Sequence, residues 1–205
     1  MPMYPSTSDA TRVLLVRHGQ SEWNAEGRWQ GQADPPLSDL GRVQAREASR
    51  TVGAVDAVWA SDLQRAVETA TIIADEIGVG PVVVDADLRE RDAGEFSGLT
   101  RPEIEERFPG HLAAGRRPPS WEPDDELLAR ALRALDRIAA ALPGGDVLVV
   151  THGGLVYTVE AHLGAAFERL ANAEGRRLEI GDGRMWLGGR VLLADPEDTT
   201  VPGQI

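Results

Sequence analysis

The chain has 205 residues, enough for a single domain with its own hydrophobic core. It contains no cysteine and no lysine, which excludes disulfides, thiolate metal sites, a cysteine nucleophile and a Schiff-base lysine. A formal net charge of −12 makes nucleic acid and anionic membrane surfaces unfavourable partners.

Both ends of the chain are polar. Residues 1–11 lack the apolar stretch of a secretory signal, and no segment reaches the ~18 apolar residues that a membrane span needs. We expect a flexible N-terminus over residues 1–11, one domain over residues 12–193 and a loose tail over residues 194–205. The expected location is the cytoplasm, and the expected assembly is a monomer or a homodimer.

Short apolar runs alternate with segments of helical spacing along the domain. Strands are predicted over residues 12–16, 56–60, 81–84 and 146–150. Helices are predicted from Ser38 to about Val52, from Ser61 or Asp62 to Ile77, and over residues 100–108, 123–142 and 154–164. Three further short strands, over residues 177–180, 184–187 and 190–193, are separated by glycine turns. Apolar strands alternating with helices predict an α/β fold, a three-layer α/β/α sandwich around a mostly parallel sheet.

Two predicted strands end in similar sequences, VLLVRHG over residues 13–19 and VLVVTHGG over residues 147–154. His18 and His152 therefore follow the carboxyl ends of strands, where open parallel sheets bind their ligands. Gly153 opens the next helix, whose free amide groups and dipole attract an anion. One histidine at a strand end is usually structural, but two at equivalent positions favour a functional site.

Charged residues near the same edge suit a phosphorylated ligand. Arg17 adjoins His18, and Arg65 lies one turn into the helix after the second strand. A guanidinium group binds two phosphate oxygens at once. Glu90, in a glycine-containing segment after the third strand, is the candidate that protonates a leaving group, with Glu95 as a rival on spacing alone.

One irregular segment and the two remaining histidines are not assigned to the site. Residues 110–122 contain two prolines and two arginines and are interpreted as a surface excursion over a pocket. His111 and His162 show no metal-ligand spacing and are interpreted as structural or surface residues. The sequence therefore predicts no metal site.

Five motifs occur in one order along the chain. They are RHGQSEWN from residue 17, RWQGQADPPLSDLGRVQA from residue 28, SDLQRAVETA from residue 61, LRERDAGEFSG from residue 88 and VVTHGG from residue 149. Together they resemble the histidine phosphatase superfamily, the family of cofactor-dependent phosphoglycerate mutases and related phosphatases. The resemblance covers residues 12–163 and implies a phosphoglycerate mutase-like fold.

The resemblance implies a role for each matching residue. His18 is the nucleophile and becomes phosphohistidine, while Arg17 and Arg65 hold the phosphoryl oxygens. His152 donates a further hydrogen bond to the phosphoryl group, and Glu90 protonates the leaving oxygen and then activates water. The residues implied to line the phosphate or the substrate are Asn24, Gln30 and Gly31. Because phosphoryl transfer depends mostly on positioning and charge neutralisation, we expect neither a metal nor another cofactor.

The resemblance covers both hydrolysis and mutase chemistry. Residues 91–151 contain no lysine and are largely taken up by a predicted helix, which leaves little chain for a lid that excludes water. This favours a metal-independent phosphomonoesterase that acts on a small phosphorylated metabolite. A mutase primed by 2,3-bisphosphoglycerate is the enzyme alternative; Arg91 is mutase-like but Ala93 is not. A non-catalytic module on the same fold, binding a phospho-ligand or a partner, is the second alternative.

Overall fold

The computed structural model describes residues 9–199 and residue 201, in which strands and helices alternate as predicted. The strands are β1 (Thr11–Arg17), β2 (Ala57–Ala60), β3 (Val83–Val84), β4 (Asp146–Thr151), β5 (Glu174–Gly181) and β6 (Arg184–Leu192). The α-helices are α1 (Glu22–Ala25), α2 (Asp39–Thr51), α3 (Gln64–Ile77), α4 (Arg101–Arg107), α5 (Asp124–Ala141) and α6 (Gly153–His162).

The strands form one sheet in the order β3-β2-β4-β1-β5-β6. β1 and β2 each pair in parallel with β4, and β3 pairs in parallel with β2. β5 and β6 add an antiparallel hairpin beside β1. β1 and β4 are buried along nearly their whole length, as expected of strands covered on both faces. The predicted mostly parallel sheet is confirmed.

Helices cover the two faces of the sheet. Leu15 and Val149 share an apolar cluster with α5 and α6. Val16 and Val150, the next residues along the same strands, share a cluster with α2 and α3. Successive side chains of a strand point to opposite faces, so continuous apolar runs fill two separate cores. The result is the predicted three-layer α/β/α sandwich.

A smaller apolar cluster anchors loops that belong to neither core. Its buried residues include Trp29, Phe96 and Ile104, and Trp121 packs against them. The rings of Trp29 and Phe96 meet edge to face with centroids 5.8 Å apart. Through Trp121, the excursion predicted over residues 110–122 is attached to the rest of the domain.

The C-terminal strands differ from the prediction. β5 and β6 are two long strands rather than three short ones, and the turn between them lies at Asp182 and Gly183, both with positive φ. The glycine pair 188–189, interpreted as a turn, lies inside β6, and the pairing of β5 with β6 shifts register between Arg176 and Leu178. Glycine marks irregular strand positions as well as turns, and the sequence pattern does not separate the two.

The start of α3 and the length of β3 also differ. α3 begins at Gln64, and its N-cap is Leu63, which makes no side-chain cap hydrogen bond. Neither Ser61 nor Asp62 is therefore the cap that the sequence suggested. β3 is reduced to two exposed residues at the edge of the sheet.

Part of each predicted end segment is packed against the domain. The N-terminal segment ends in β1, and the first residues of the C-terminal tail contact α2. Thr11 belongs to β1 rather than to a flexible end, and its hydroxyl donates to a carbonyl oxygen at the end of α5 over 3.0 Å. Residues 195–199 hydrogen-bond to Gln44 and Glu47 on α2, so this part of the predicted loose tail is held. Residues 1–8, 200 and 202–205 of the two predicted segments lie outside the described residues. Within the described part of the chain, every helix is too short or too polar to cross a membrane.

Candidate active site

A cavity of about 860 Å³ opens beyond the carboxyl ends of β1 and β4. The residues predicted for the site that line this cavity are Arg17, His18, Asn24, Gln30, Gly31, Arg65 and Glu90. Two other predicted residues, His152 and Gly153, do not line it. Residues far apart in the chain therefore meet at one place because the parallel strands end at the same edge.

His18 presents one defined nitrogen to Arg65. Its Nδ1 lies 2.6 Å from the carbonyl oxygen of Gly19, and because a carbonyl only accepts, Nδ1 carries the ring proton. Its Nε2 accepts a hydrogen bond of 3.2 Å from Arg65 Nε. Burial, followed by the charges of Arg65 and Arg17, holds the pKa of His18 well below its ordinary value. The ring is therefore neutral near pH 7, with the Nε2 lone pair directed at Arg65.

Arg65 places a positive charge beside His18. It lies in the first turn of α3 and is fully buried. Its terminal nitrogens donate to the carbonyl oxygens of Ala33 at 2.7 Å and Gly31 at 2.9 Å, which fixes the plane of the guanidinium. Burial lowers the pKa of Arg65 to about 10, so the side chain keeps its charge at neutral pH.

Arg17 supplies a second buried cation at the end of β1. One terminal nitrogen donates to the carbonyl oxygen of Leu170 over 2.9 Å. Its Nε is buried and has no hydrogen-bond partner among the described residues. A buried donor without a partner is costly, so an anionic oxygen bound here would satisfy it.

His152 lies behind His18. The two rings meet at an angle of 61° with centroids 5.1 Å apart, and His152 is fully buried. Neither of its ring nitrogens has a partner in the described part of the chain. Burial, followed by the charge of Arg65, lowers the pKa of His152 well below its ordinary value. The neutral ring keeps one N–H group to donate, and its bond to a phosphoryl group remains a prediction.

Glu90 faces the start of α6. One carboxylate oxygen accepts from the amide nitrogen of Arg91 over 2.7 Å, and the other accepts from the amide nitrogen of Gly154 over 3.1 Å. Gly154, rather than the predicted Gly153, therefore contacts the carboxylate and lines the cavity. The rival carboxylate Glu95 does not line the cavity and accepts from Ser120 instead.

Asn24 and Gln30 both use their side-chain oxygens as acceptors within the protein. The side-chain oxygen of Asn24 accepts from the amide nitrogen of Ser21 at 3.2 Å, and that of Gln30 accepts from the Ser21 hydroxyl at 2.8 Å. The NH₂ group of each side chain is a donor, the kind of group that suits an anion. Gly31 has φ 52°, a conformation that favours glycine, and its carbonyl oxygen accepts from Arg65.

Part of the cavity wall was not predicted from the sequence. Arg117 and Trp121 belong to the excursion that was predicted to lie over a pocket, whereas the lining residues without a prediction include Leu128, Tyr157, Thr158 and Phe167. His162, interpreted as a structural or surface residue, is exposed and also lines the cavity. A signal was available for α6: positions 157, 158, 161 and 162 fall on one face of a helix that begins at the site.

The cavity combines a neutral imidazole, two buried guanidinium groups and a carboxylate at the ligand-binding edge of an α/β/α sandwich. Among the described residues, no group of three or more histidine, aspartate and glutamate side chains is arranged to hold a metal ion. Fold and cavity together define the class, an α/β enzyme whose site suits the chemistry of a phosphoryl group. The chain belongs to the histidine phosphatase superfamily, branch 1, whose family model matches residues 13–187.

Similar proteins carry phosphatase and mutase-like names. Phosphoglycerate mutase-like protein 4 of Arabidopsis thaliana is 35% identical over 191 residues, 87% of this chain and 83% of the relative. The metal-independent phosphoserine phosphatase of the same plant is 34% identical over 192 residues, 88% and 80% of the two chains. The structure of mycobacterial glucosyl-3-phosphoglycerate phosphatase with VO3 matches with a TM-score of 0.77 and 31% identity, covering 86% of this chain and 96% of that chain. The chain is accordingly a phosphatase.

Proposed function

We propose that the protein is a metal-independent phosphomonoesterase that hydrolyses a small phosphorylated metabolite through phosphohistidine on His18. One observation carries the proposal. Gly19 holds the ring proton of His18 on Nδ1, which leaves the Nε2 lone pair beside Arg65 in the cavity. The names of the phosphoserine and glucosyl-3-phosphoglycerate phosphatases support a small phosphorylated substrate.

The first step transfers the phosphoryl group to the protein. Nε2 of His18 attacks phosphorus, the Nε2–P bond forms and the bond from phosphorus to the leaving oxygen breaks. Protonated Glu90 gives its proton to that oxygen. Arg17 and Arg65 stabilise the charge on the phosphoryl oxygens, and covalent transfer divides one difficult step into two easier ones.

The second step returns the protein to its starting state. The Glu90 carboxylate takes a proton from water, and the water oxygen attacks phosphorus. The Nε2–P bond breaks, inorganic phosphate leaves, and His18 is again neutral with its proton on Nδ1. Glu90 regains from water the proton that it gave to the leaving oxygen, so each turnover needs only substrate and water.

The mutase alternative rests on Arg91. This side chain donates to the carbonyl oxygen of Glu122 and to Thr158, and it pairs with Asp124 at 2.7 Å. These protein partners leave it poorly placed as a free cation for a second substrate group, which favours hydrolysis. The cytoplasmic location and the monomer or homodimer remain predictions from the sequence.

The test measures release of inorganic phosphate from p-nitrophenyl phosphate and 3-phosphoglycerate, with EDTA present and without bisphosphoglycerate. We expect hydrolysis that survives chelation and is lost in His18→Ala. Acid-labile 32P retained on the native chain but not on the variant identifies the phosphohistidine. Activity in a folded His18→Ala variant contradicts the mechanism, and turnover that appears only with bisphosphoglycerate supports the mutase instead.

A further inference from the structure

The peptide group between Gly19 and Gln20 is held from both sides. Its carbonyl oxygen accepts the Nδ1 proton of His18 over 2.6 Å. Its N–H, which points the opposite way across a trans peptide, donates to Oε1 of Gln44 over 2.7 Å. The group that sets the tautomer of His18 is therefore itself positioned by a side chain that does not line the cavity.

Gln44 makes two hydrogen bonds of opposite sense. It lies on α2 and is fully buried. Its Nε2 donates over 2.7 Å to the carbonyl oxygen of Asp198, in the turn that follows β6. Because the Gln20 amide only donates and the Asp198 carbonyl only accepts, the orientation of the Gln44 amide is determined.

The backbone of α2 approaches the loop after His18 as closely as glycines allow. A Cβ on Gly19 would lie 2.5 Å from the carbonyl oxygen of Gly41, and a Cβ on Gly41 would overlap the carbonyl oxygen of Gln20. Gln44 follows Gly41 by one helical turn. Both glycines are therefore required if the side chain of Gln44 is to reach the Gln20 amide.

We propose that Gln44 is a positioning residue for the nucleophile: it holds the Gly19–Gln20 peptide so that His18 keeps its proton on Nδ1 and its lone pair on Nε2. The inference rests on the proposed function of His18. When Nε2 bonds to phosphorus, the ring gains positive charge, and a carbonyl polarised through Gln44 stabilises that charge. The relay starts at Asp198, so the C-terminal turn supports the reaction without touching the cavity.

The decisive variant is Gln44→Met, which keeps the length of the side chain and removes both hydrogen bonds. We expect kcat/KM to fall roughly 2- to 10-fold, the range for a hydrogen bond between neutral groups. The inhibition constant of inorganic phosphate stays within about twofold, because Arg17 and Arg65 still bind the anion. The 15N chemical shifts of the His18 ring show part of the proton moved from Nδ1 to Nε2.

Two further variants separate positioning from packing. In Gln44→Glu near pH 6, burial keeps the carboxyl group protonated, so it still accepts from Gln20 and donates to Asp198. We expect it to retain kcat/KM and the tautomer of His18. Glu47→Met removes a different bond between α2 and the C-terminal turn, the one from the Asp195 amide, and should leave kcat/KM unchanged.

Several results would overturn the inference. They are native kcat/KM in a folded Gln44→Met variant, an unshifted ring proton on His18, or equal losses of activity and phosphate binding. If Gln44→Met does not fold, Gln44→Asn, which stays polar but is too short to reach Gln20, gives the same three measurements. His18→Ala runs beside them: activity there rejects the proposed function, whereas an inactive His18→Ala with a native Gln44→Met rejects only the positioning role.

Discussion

The carboxylate of Glu90 occupies the space in which a side chain on Gly154 would begin. The Gly154 amide donates to one carboxylate oxygen over 3.1 Å, and the other oxygen would overlap a Cβ built on residue 154. The second glycine of the VVTHGG motif therefore provides room for the candidate acid. This contact joins β4 and α6 to a segment about sixty residues earlier in the chain.

Gly154→Ala should displace the Glu90 carboxylate and lower kcat/KM by about tenfold or more, part of the 10²–10⁴ that a general acid contributes. The matched control is Gly153→Ala, since a Cβ there meets nothing closer than Tyr157 at 3.4 Å. Its loss should be much smaller. The measurement is kcat/KM of the two folded variants. Equal losses in both would show that Gly154 does not determine the position of Glu90.

Glu90→Gln should affect substrates according to their leaving groups. An alkyl phosphate needs a proton on its leaving oxygen, so its kcat/KM should fall by roughly 10²–10⁴. p-Nitrophenolate leaves readily without one, so the loss for p-nitrophenyl phosphate should be clearly smaller. The comparison uses kcat/KM because this constant reports only the steps up to and including phosphorylation of His18, before water attacks. The same fractional loss with both substrates would exclude Glu90 as the acid.

Protonation of His18 should abolish activity at low pH. Because its pKa is lowered, this loss of activity should occur well below pH 6.5. Burial is the main cause of the low pKa of His18, and the Arg65 charge is the next. Arg65→Ala removes a cation from the side of Nε2, so the pKa of His18 should rise. NMR titration of the ring measures this directly even if turnover is lost. Arg133→Ala, on an exposed arginine of α5, is the control and should leave the titration unchanged.

Folding stability should decrease as the pH falls below about 6.5. The pKa values of His18 and His152 are lowered in the folded chain by burial, so the unfolded chain binds more protons in this range. Each histidine should reduce the free energy of unfolding by up to about 1.4 kcal/mol per pH unit until its folded pKa is reached. His152→Asn should lower this slope in urea titrations between about pH 6.5 and 5 by removing one of the two groups. An unaltered slope would contradict the neutral burial of His152.

Much of the fold followed from local pattern. The apolar run of β1 and the amphipathic spacing of α2 are strong signals because they extend over 7 and 13 residues. The capping box of Thr100 and Glu103 was predicted and begins α4. Weak signals failed: two glycines inside β6 resembled a turn, and β3 kept only two residues of its predicted run.

The sequence by itself determined which chemistry is present. Its order of motifs placed His18 at a strand end and Arg65 and Glu90 in segments that follow strands, because the edge of a parallel sheet is predictable from alternation alone. Only the tertiary structure decided the contacts that prepare these groups. The Nδ1 proton of His18, the choice of Gly154 over Gly153 and the support from Gln44 depend on backbone groups distant in sequence. Hydrogen bonds act over about 3 Å, so they are settled when the layers pack and leave no periodic trace in the chain.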